Sequence, residues 1–208
     1  MSTGSLTPRT VEVAPERVER WVGNFGERHG GVEVSEHGGR VTSLLGADGA
    51  TATFDWFDAE PLGVVLVRRG GYAVALVRGS ELALHKVGAR HVQSRTAAGG
   101  WSQQRFARRR GNQADALVDA VVGHALRVVL GGDESPAGGA ADVPRGLVVG
   151  GDRAMAAAVL DDGRLRALAG LPRRELYDLP DPKRAVLDDA VRRGRAVRVT
   201  LVEPLPAP

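Results

Sequence analysis

The sequence predicts a mixed α/β fold that follows a small N-terminal extension. Two runs rich in β-branched residues, at 63–68 and 72–77, and an alternating run at 82–87 are spaced as consecutive antiparallel strands. After them, helical patterns and apolar strand patterns alternate, which is typical of an α/β domain with a mixed sheet. An acidic join at residues 58–61, which ends in a proline, separates the two parts. We therefore expect an extension over residues 1–60 and a larger domain over residues 61–208.

The extension begins with a predicted amphipathic helix over residues 15–28. Pro15 suits the first helical position, because its missing N–H would have no partner there, and apolar residues then recur at helical spacing. Three short alternating segments follow, at residues 32–36, 40–45 and 50–56. Glycines lie between them, at Gly38, Gly39 and Gly49, and such glycines allow tight turns. The pattern predicts one helix followed by a β-meander.

The first half of the larger domain is predicted to be three or four strands followed by a long helix. The predicted elements are strands at residues 63–68, 72–77, 82–87 and 91–95, a loop at 96–111 and a helix at 112–130. The helix is apolar except for a stripe with four-residue spacing, formed by Asp115, Asp119, Gly123 and Arg127. We expect this helix to be largely buried.

The second half of the larger domain alternates between strands and helices. The predicted elements are a strand at residues 146–149, a helix at 152–160, a helix at 183–193 and a strand at 196–202. Asp152 is a suitable N-cap for the first helix, and Gly194 is expected to end the second. Three antiparallel strands followed by α-β-α-β resemble the ribonuclease-H-like topology.

The composition indicates a soluble cytoplasmic protein. The chain of 208 residues is 43% hydrophobic and 25% charged, close to the average of globular proteins. Its apolar runs are far shorter than the roughly 20 residues of a membrane helix, and residues 1–10 do not resemble a secretory signal. The chain has no cysteine, which excludes disulfides and cysteine-bound metals.

Positive charge is concentrated in one segment. Residues 82–114 contain no Asp or Glu and carry seven cations, namely Lys86, Arg90, Arg95, Arg105, Arg108, Arg109 and Arg110. The whole chain has a net charge of +3, so removing the +7 of this segment leaves −4 on the other residues. A basic segment without interspersed acids favours a polyanionic partner.

The most informative motif lies at residues 98–110 and reads Ala-Gly-Gly-Trp-Ser-Gln-Gln-Arg-Phe-Ala-Arg-Arg-Arg. One interpretation is a solvated connecting loop, with glycine for flexibility and arginine for solubility. Three features favour a binding loop instead. The cations lack acidic neighbours, Trp101 and Phe106 are aromatic residues of the kind that stack on bases, and Gly99 and Gly100 permit close backbone approach to a ligand.

This motif, set between a strand and a long helix, resembles the catalytic loop of the release-factor-like peptidyl-tRNA hydrolases. These proteins are relatives of the central domain of eukaryotic and archaeal peptide-chain release factors, and they include ribosome-quality-control hydrolases that free nascent chains from stalled large subunits. The pattern is similar to an actinobacterial branch of that group. The resemblance covers roughly residues 61–202, and the part before Asp58 resembles the family's N-terminal extension only loosely.

The resemblance implies roles for individual residues. Gly99 and Gly100 give the loop its flexibility and Gln103 is the catalytic glutamine. Release factors place glutamine directly after the two glycines, whereas here Trp101 and Ser102 intervene. The quality-control relatives have a small residue before the glutamine, so Ser102 and Gln103 match that pattern and Gln104 is the alternative. The candidate RNA contacts are Arg95, Trp101, Arg105, Phe106, Arg108, Arg109 and Arg110.

Such a spare motif is compatible with ester hydrolysis. The reaction requires a water molecule held in line with the carbonyl carbon and stabilisation of the developing oxyanion. Glutamine is a neutral donor and acceptor, so it can orient water without acting as a strong base. By resemblance, the peptidyl-transferase centre supplies the rest of the site. The implied partners are the large ribosomal subunit and peptidyl-tRNA, with no cofactor, membrane or DNA.

Other chemistries have weaker support. The five histidines (His29, His37, His85, His91 and His124) show no metal-ligand spacing, and no serine lies in a Gly-x-Ser-x-Gly elbow. A ribonuclease-H-like nuclease would need clustered carboxylates on strands that here carry mostly Val, Leu and Ala. Arg192, Arg193 and Arg195 fit a helix C-terminus, although they are also candidate RNA contacts. A non-catalytic module that binds ribosomal RNA or tRNA remains an alternative.

Overall fold

The computed structural model describes residues 7–89, 102–131 and 143–204, and it confirms the mixed α/β class with two β-sheets and several helices. The chain divides into two compact units. One consists of Met1–Phe57 together with Arg195–Pro208, and the other consists of Asp58–Gly194. No helix among the described residues is long and apolar enough to cross a membrane.

The secondary structure of the described residues is as follows. The strands are β1 Arg9–Val13, β2 Val32–His37, β3 Arg40–Gly46, β4 Thr51–Asp55, β5 Leu62–Arg68, β6 Gly71–Arg78, β7 Glu81–Ala89, β8 Gly146–Gly151, β9 Arg173–Leu176 and β10 Val197–Val202. The α-helices are α1 Val18–Arg28, α2 Ser102–Val128, α3 Arg153–Leu160 and α4 Arg184–Arg195. Short 3₁₀ helices at Pro15–Arg17 and Gly163–Leu168 precede α1 and follow α3.

The first unit is an antiparallel sheet with α1 packed on it. The strand order is β1-β10-β4-β3-β2. The three strands of the predicted meander are confirmed to within one residue, and the predicted helix over 15–28 consists of the 3₁₀ helix Pro15–Arg17 followed by α1. On α1, the Trp21 ring stacks on Phe25 and meets the edge of Phe54 on β4, so this helix contributes an aromatic cluster to the core of the unit.

The second unit contains a mixed sheet in the order β7-β6-β5-β8-β9. Strands β5, β6 and β7 are antiparallel neighbours, while β8 is parallel to both β5 and β9. Val65 and Val149 contribute to a core with residues of α2 and α3, which therefore cover one face of the sheet. Val148 points to the other face, because side chains alternate along a strand. There Gly194 of α4 lies against it.

The positions of the last two strands correct the sequence analysis. We expected the segment at 196–202 to be the last strand of the larger domain. Instead, β10 pairs with β1 and β4 in the other sheet, and the second parallel strand is β9, which was not predicted. The short β9 buries Arg174 (4% exposed) together with Leu176, so a charged residue occupies a core position and obscures the apolar pattern. Strand β1 was also missed.

The end of α4 is a further correction. Gly194 was expected to end this helix, yet the helix includes Gly194 and continues to Arg195. Gly194 is not among the described glycines with positive φ, so it is not a left-handed C-terminal cap. A Cβ at this position would overlap Val148 Cγ2, which shows that glycine permits close helix-to-strand packing here. By contrast, the predicted cap of α3 is confirmed, because Asp152 Oδ1 accepts a 3.1 Å hydrogen bond from the Met155 N–H.

Candidate active site

Most of the motif lies at the start of α2. The helix begins at Ser102, not at residue 112 as expected, so the predicted loop is wrong for residues 102–111. The backbone of this part is helical, and side chains are described from Gln113 onward. This part of α2 contains both candidate glutamines, Gln103 and Gln104. It also contains five candidate RNA contacts, namely Arg105, Phe106, Arg108, Arg109 and Arg110. Arg95, Gly99, Gly100 and Trp101, together with the predicted strand at 91–95, lie outside the described residues.

The early start of α2 has a physical explanation. Glutamine, arginine and alanine lose little conformational freedom in a helix, so they are good helix formers. Helix formation is also cooperative, and extending an existing helix is easier than starting one. The buried C-terminal half of α2 therefore stabilises the turns before it. The single Gly111 within this stretch costs about 1 kcal/mol relative to alanine, which does not outweigh these effects.

The C-terminal half of α2 anchors the helix to the sheet. Its buried side chains are Leu117, Val121, Val122 and Ala125, followed by Val129 just after the helix. They share a core cluster with residues of β5, β6, β8 and α3. Leu117, which is 2% exposed, is the first buried residue among the described side chains of α2. The expectation of a buried helix is confirmed for this half, whereas Gln113, Asp115 and Ala116 are exposed.

The motif is displaced along the helix from this anchor. Gln103 precedes Leu117 by fourteen positions. An α-helix rises 1.5 Å per residue, so their Cα atoms are separated by about 21 Å along the axis. The glutamine is thus four turns away from the nearest described core residue of the same helix.

An ion-pair network orients the middle of α2. Arg164 Nη2 lies 2.7 Å from Asp119 Oδ1 on the polar stripe of the helix and 2.8 Å from Asp162 Oδ2. Asp162 Oδ1 also accepts a 2.9 Å hydrogen bond from the Arg164 N–H. Hydrogen bonds from Arg164 lower the pKa of Asp162 to about 2, so this carboxylate stays charged at neutral pH. The network connects α2 to the 3₁₀ helix that follows α3.

The start of α2 carries no negative side chain in its first turn. The positive end of the helix dipole is therefore not balanced by the helix's own side chains. The basic cluster near the C-terminus is different. Arg192 is 2.5 Å from Asp189, Arg193 is 2.9 Å from Asp178, and Arg195 is paired with Glu16. These C-terminal arginines are therefore neutralised within the chain.

Three of the histidines have hydrogen-bonding partners in the structure. His29 Nδ1 lies 2.9 Å from Asp48 Oδ2, His85 Nε2 lies 3.0 Å from Arg184 Nη1, and His124 Nε2 lies 2.7 Å from the Tyr72 hydroxyl. The contact of His124 with Tyr72 could not be predicted from local spacing, because the two residues are 52 positions apart. Within the part of the chain that the structure describes, no group of three or more His, Asp or Glu residues is arranged to hold a metal ion.

Comparison with known proteins identifies the family. The model of the family described as Actinobacteria/chloroflexi VLRF1 release factor matches residues 60–200, which include all of α2 and the whole of the second sheet. No curated protein matches the chain. The family match begins within the acidic join at residues 58–61 and includes residues 98–110, which carry the glycine and glutamine motif. Because it covers more than half of the chain, this protein belongs to the Actinobacteria/Chloroflexi VLRF1 release factor family.

Proposed function

We propose that this protein hydrolyses the ester bond of peptidyl-tRNA on stalled ribosomes or large ribosomal subunits, with Gln103 orienting the attacking water. The observation that carries this proposal is the membership of the release factor family together with the position of Gln103 in the first turn of a 27-residue helix. A ribosomal role implies a cytoplasmic location. No cofactor is needed for the reaction as proposed.

The chemistry is a simple acyl transfer to water. The water oxygen forms a bond to the ester carbonyl carbon, and the bond to the terminal ribose oxygen of the tRNA breaks. One proton of the water passes to the ribose oxygen and the other is released to solvent, so the products are a peptide carboxylate and an intact tRNA. The amide of Gln103 holds the water in line by donating and accepting hydrogen bonds. Gly99 and Gly100 give the preceding segment the freedom to approach the ester closely.

The helical backbone separates the two candidate glutamines. Successive residues of an α-helix are rotated by about 100°, since 3.6 residues complete a turn. The Cα atoms of Gln103 and Gln104 therefore lie on different sides of α2, and a single bound ester is expected to depend on one of them. Ser102 is the first residue of the helix and matches the small residue that precedes the glutamine in the proposed motif.

The basic residues of the motif are proposed to bind RNA backbone. Arg108, Arg109 and Arg110 belong to the second and third turns of α2, and Arg105 lies two residues from Gln103. We assign the three consecutive arginines to phosphates and Arg105 to positioning of the ester. Arg95, Trp101 and Phe106 complete the proposed RNA contacts.

The direct test is incubation of the protein with stalled nascent-chain complexes, scored for free peptide and intact tRNA. Gln103→Ala should lower release by about 10²-fold or more, the usual cost of removing one catalytic hydrogen-bonding group. Gln113→Ala is a matched control, since Gln113 is an exposed glutamine ten residues further along the same helix. Loss of release in Gln104→Ala alone would move the assignment to Gln104. Normal release by both variants would refute the mechanism.

Two further readouts separate the alternative functions. A non-catalytic RNA-binding module would bind ribosomes and release no peptide in the unmodified protein. A nuclease would give cut tRNA in place of intact tRNA. Changing Arg105, Arg108, Arg109 and Arg110 together to alanine should flatten the slope of log affinity against log salt by about 0.7–0.9 for each phosphate that is no longer bound. Arg192→Ala is the control, because Asp189 already pairs with that guanidinium.

A further inference from the structure

A second polar cluster lies at the anchored end of α2. Tyr72 on β6 and His124 on α2 are 52 positions apart in sequence, yet the Tyr72 hydroxyl is 2.7 Å from His124 Nε2 and their rings stack with centroids 5.0 Å apart. Arg127 Nη2 is 2.9 Å from His124 Nδ1. Gly88 on β7 leaves room for the tyrosine, because a Cβ there would overlap the Tyr72 ring. This geometry connects three elements of the second unit.

The hydrogen bonds within the cluster determine which of its N–H and O–H groups can still donate to a ligand. A guanidinium only donates, so His124 Nδ1 must be the acceptor in its contact with Arg127. In the neutral ring the proton then resides on Nε2, which donates to the Tyr72 oxygen. The hydroxyl proton of Tyr72 is consequently not used in this contact. It remains available for an acceptor outside the cluster, as do the other N–H groups of Arg127.

The cluster is positively charged. Lys86 pairs with Val74 across β6 and β7, and Val74 belongs to the core shared with α2, so the lysine lies on the same face of the sheet as this helix. Burial, Arg127 and Lys86 all lower the pKa of His124, which keeps its ring neutral. Lys86 and Arg127 are exposed, and among the described residues neither forms an ion pair with a carboxylate.

We propose that Tyr72, Lys86 and Arg127 form a second RNA-binding site, which takes a backbone phosphate through two cations and one hydroxyl donor. Arg127 follows Gln103 by 24 positions on one helix, which places this site about 36 Å along the axis from the glutamine. RNA is the favoured ligand because Lys86 is the first cation of the acid-free basic segment at residues 82–114, which continues into α2. The inference rests on the proposed function only for the source of the RNA, which is the ribosome or its bound tRNA.

The proposed geometry assigns a different effect to each side chain. The two cations displace counterions from the phosphate, so each contributes to the salt dependence of binding. The tyrosine contributes a neutral hydrogen bond and should affect affinity without affecting the salt slope. Gln103, at the other end of the helix, acts in the reaction and should leave the salt slope unchanged. Binding and hydrolysis can therefore be tested separately.

The test measures binding of the full-length protein to purified large ribosomal subunits at several salt concentrations. Lys86→Met and Arg127→Met keep most of the apolar stem of each side chain. The double change should flatten the slope of log affinity against log salt by about 0.7–0.9, the contribution of one phosphate, and each single change should flatten it by part of that amount. Tyr72→Phe should weaken binding several-fold with no change of slope. Lys183→Met is the control, because Lys183 is an exposed cation directly before α4, on the other face of the sheet.

The outcomes distinguish this site from the proposed reaction. Unchanged slopes in both Lys86→Met and Arg127→Met would overturn the second site, whatever Gln103→Ala does to peptide release. Normal release by the glutamine variants would refute the reaction and leave the slope measurement valid. Polyglutamate serves as a second probe. A loss of binding to the subunits that exceeds the loss for polyglutamate supports the assignment to RNA. Equal losses for the two ligands, or a loss confined to polyglutamate, would overturn it.

Discussion

Replacing Gly194 with alanine should destabilise the protein, although alanine is the better helix former. Gly194 lies within α4 in ordinary helical conformation, so a left-handed backbone is not what requires glycine. The constraint is the distance to β8. The added Cβ would overlap Val148 Cγ2 and would also lie 3.5 Å from Leu62 Cδ2. Because the overlapping atom belongs to a buried β-branched residue, the helix must move away from the sheet to relieve it.

The expected magnitude follows from two opposing effects. Glycine to alanine within a helix stabilises by about 1 kcal/mol. Forcing an additional methyl group into a packed core costs about 1–3 kcal/mol, and the severe overlap with Val148 places this site near the upper end. The net change is a loss of about 2 kcal/mol. Gly123 of α2 is the matched control, because its nearest atom beyond the helix backbone would be Arg127 Nη1 at 3.7 Å. Gly123→Ala should therefore stabilise by about 1 kcal/mol.

Urea denaturation followed by far-ultraviolet circular dichroism measures both variants. The two changes differ by about 3 kcal/mol, and m-values in urea are about 1–3 kcal/mol/M, so the midpoints should differ by at least about 1 M. Gly123→Ala should unfold at higher urea than the unmodified protein, and Gly194→Ala at lower urea. The packing explanation is refuted if Gly194→Ala proves as stable as Gly123→Ala.

Three other predictions concern the anchor of α2. Leu117→Ala should reduce the unfolding free energy by about 2–5 kcal/mol, measured by denaturation, whereas Leu117→Met should cost less than about 1.5 kcal/mol; equal losses would contradict the packing. The pKa of Asp162 is lowered from 3.8 to about 2. The charged carboxylate therefore stabilises the fold fully above pH 3.8, and this stabilisation is lost as pH falls towards 2. Asp162→Asn, which can still cap the backbone, should remove this part of the acid dependence of the unfolding free energy. The pKa of His124 is lowered from 6.5, so as pH falls the unfolded chain takes up this proton before the folded chain does. The unfolding free energy should therefore decrease below pH 6.5. In His124→Gln this decrease should be absent, and an unchanged dependence of stability on pH would argue against the neutral ring.

Local pattern and composition were sufficient for much of the second unit. The hairpin strands β5 to β7 were predicted because β-branched residues and turn glycines are local signals. The cap at Asp152 depends on a contact three residues away, so the sequence was sufficient to identify it. The motif around Gln103 directed attention to the release factor family, which the match over residues 60–200 then supported.

Errors occurred where an element depends on partners distant in sequence. The alternation of residues 197–202 correctly indicates a strand, but an alternating pattern does not specify a sheet. Strand β10 pairs with β1, in which Val11 opposes Val199, and these residues are brought together only when the ends of the chain meet. The start of α2 was placed ten residues too late, because a glycine- and arginine-rich segment looks like a loop unless an anchored helix stabilises it.

The sequence by itself determined the fold class, most of the strands and helices, the concentration of positive charge and the motif that resembles the family. These properties depend on residue type and short-range spacing, so they are readable without coordinates. The tertiary structure alone decided the sheet to which β10 belongs, the burial of Arg174 and the contact of Tyr72 with His124 and Arg127. Each of these depends on which distant segments pack together, and that choice is made by the summed burial and hydrogen bonding of the whole domain.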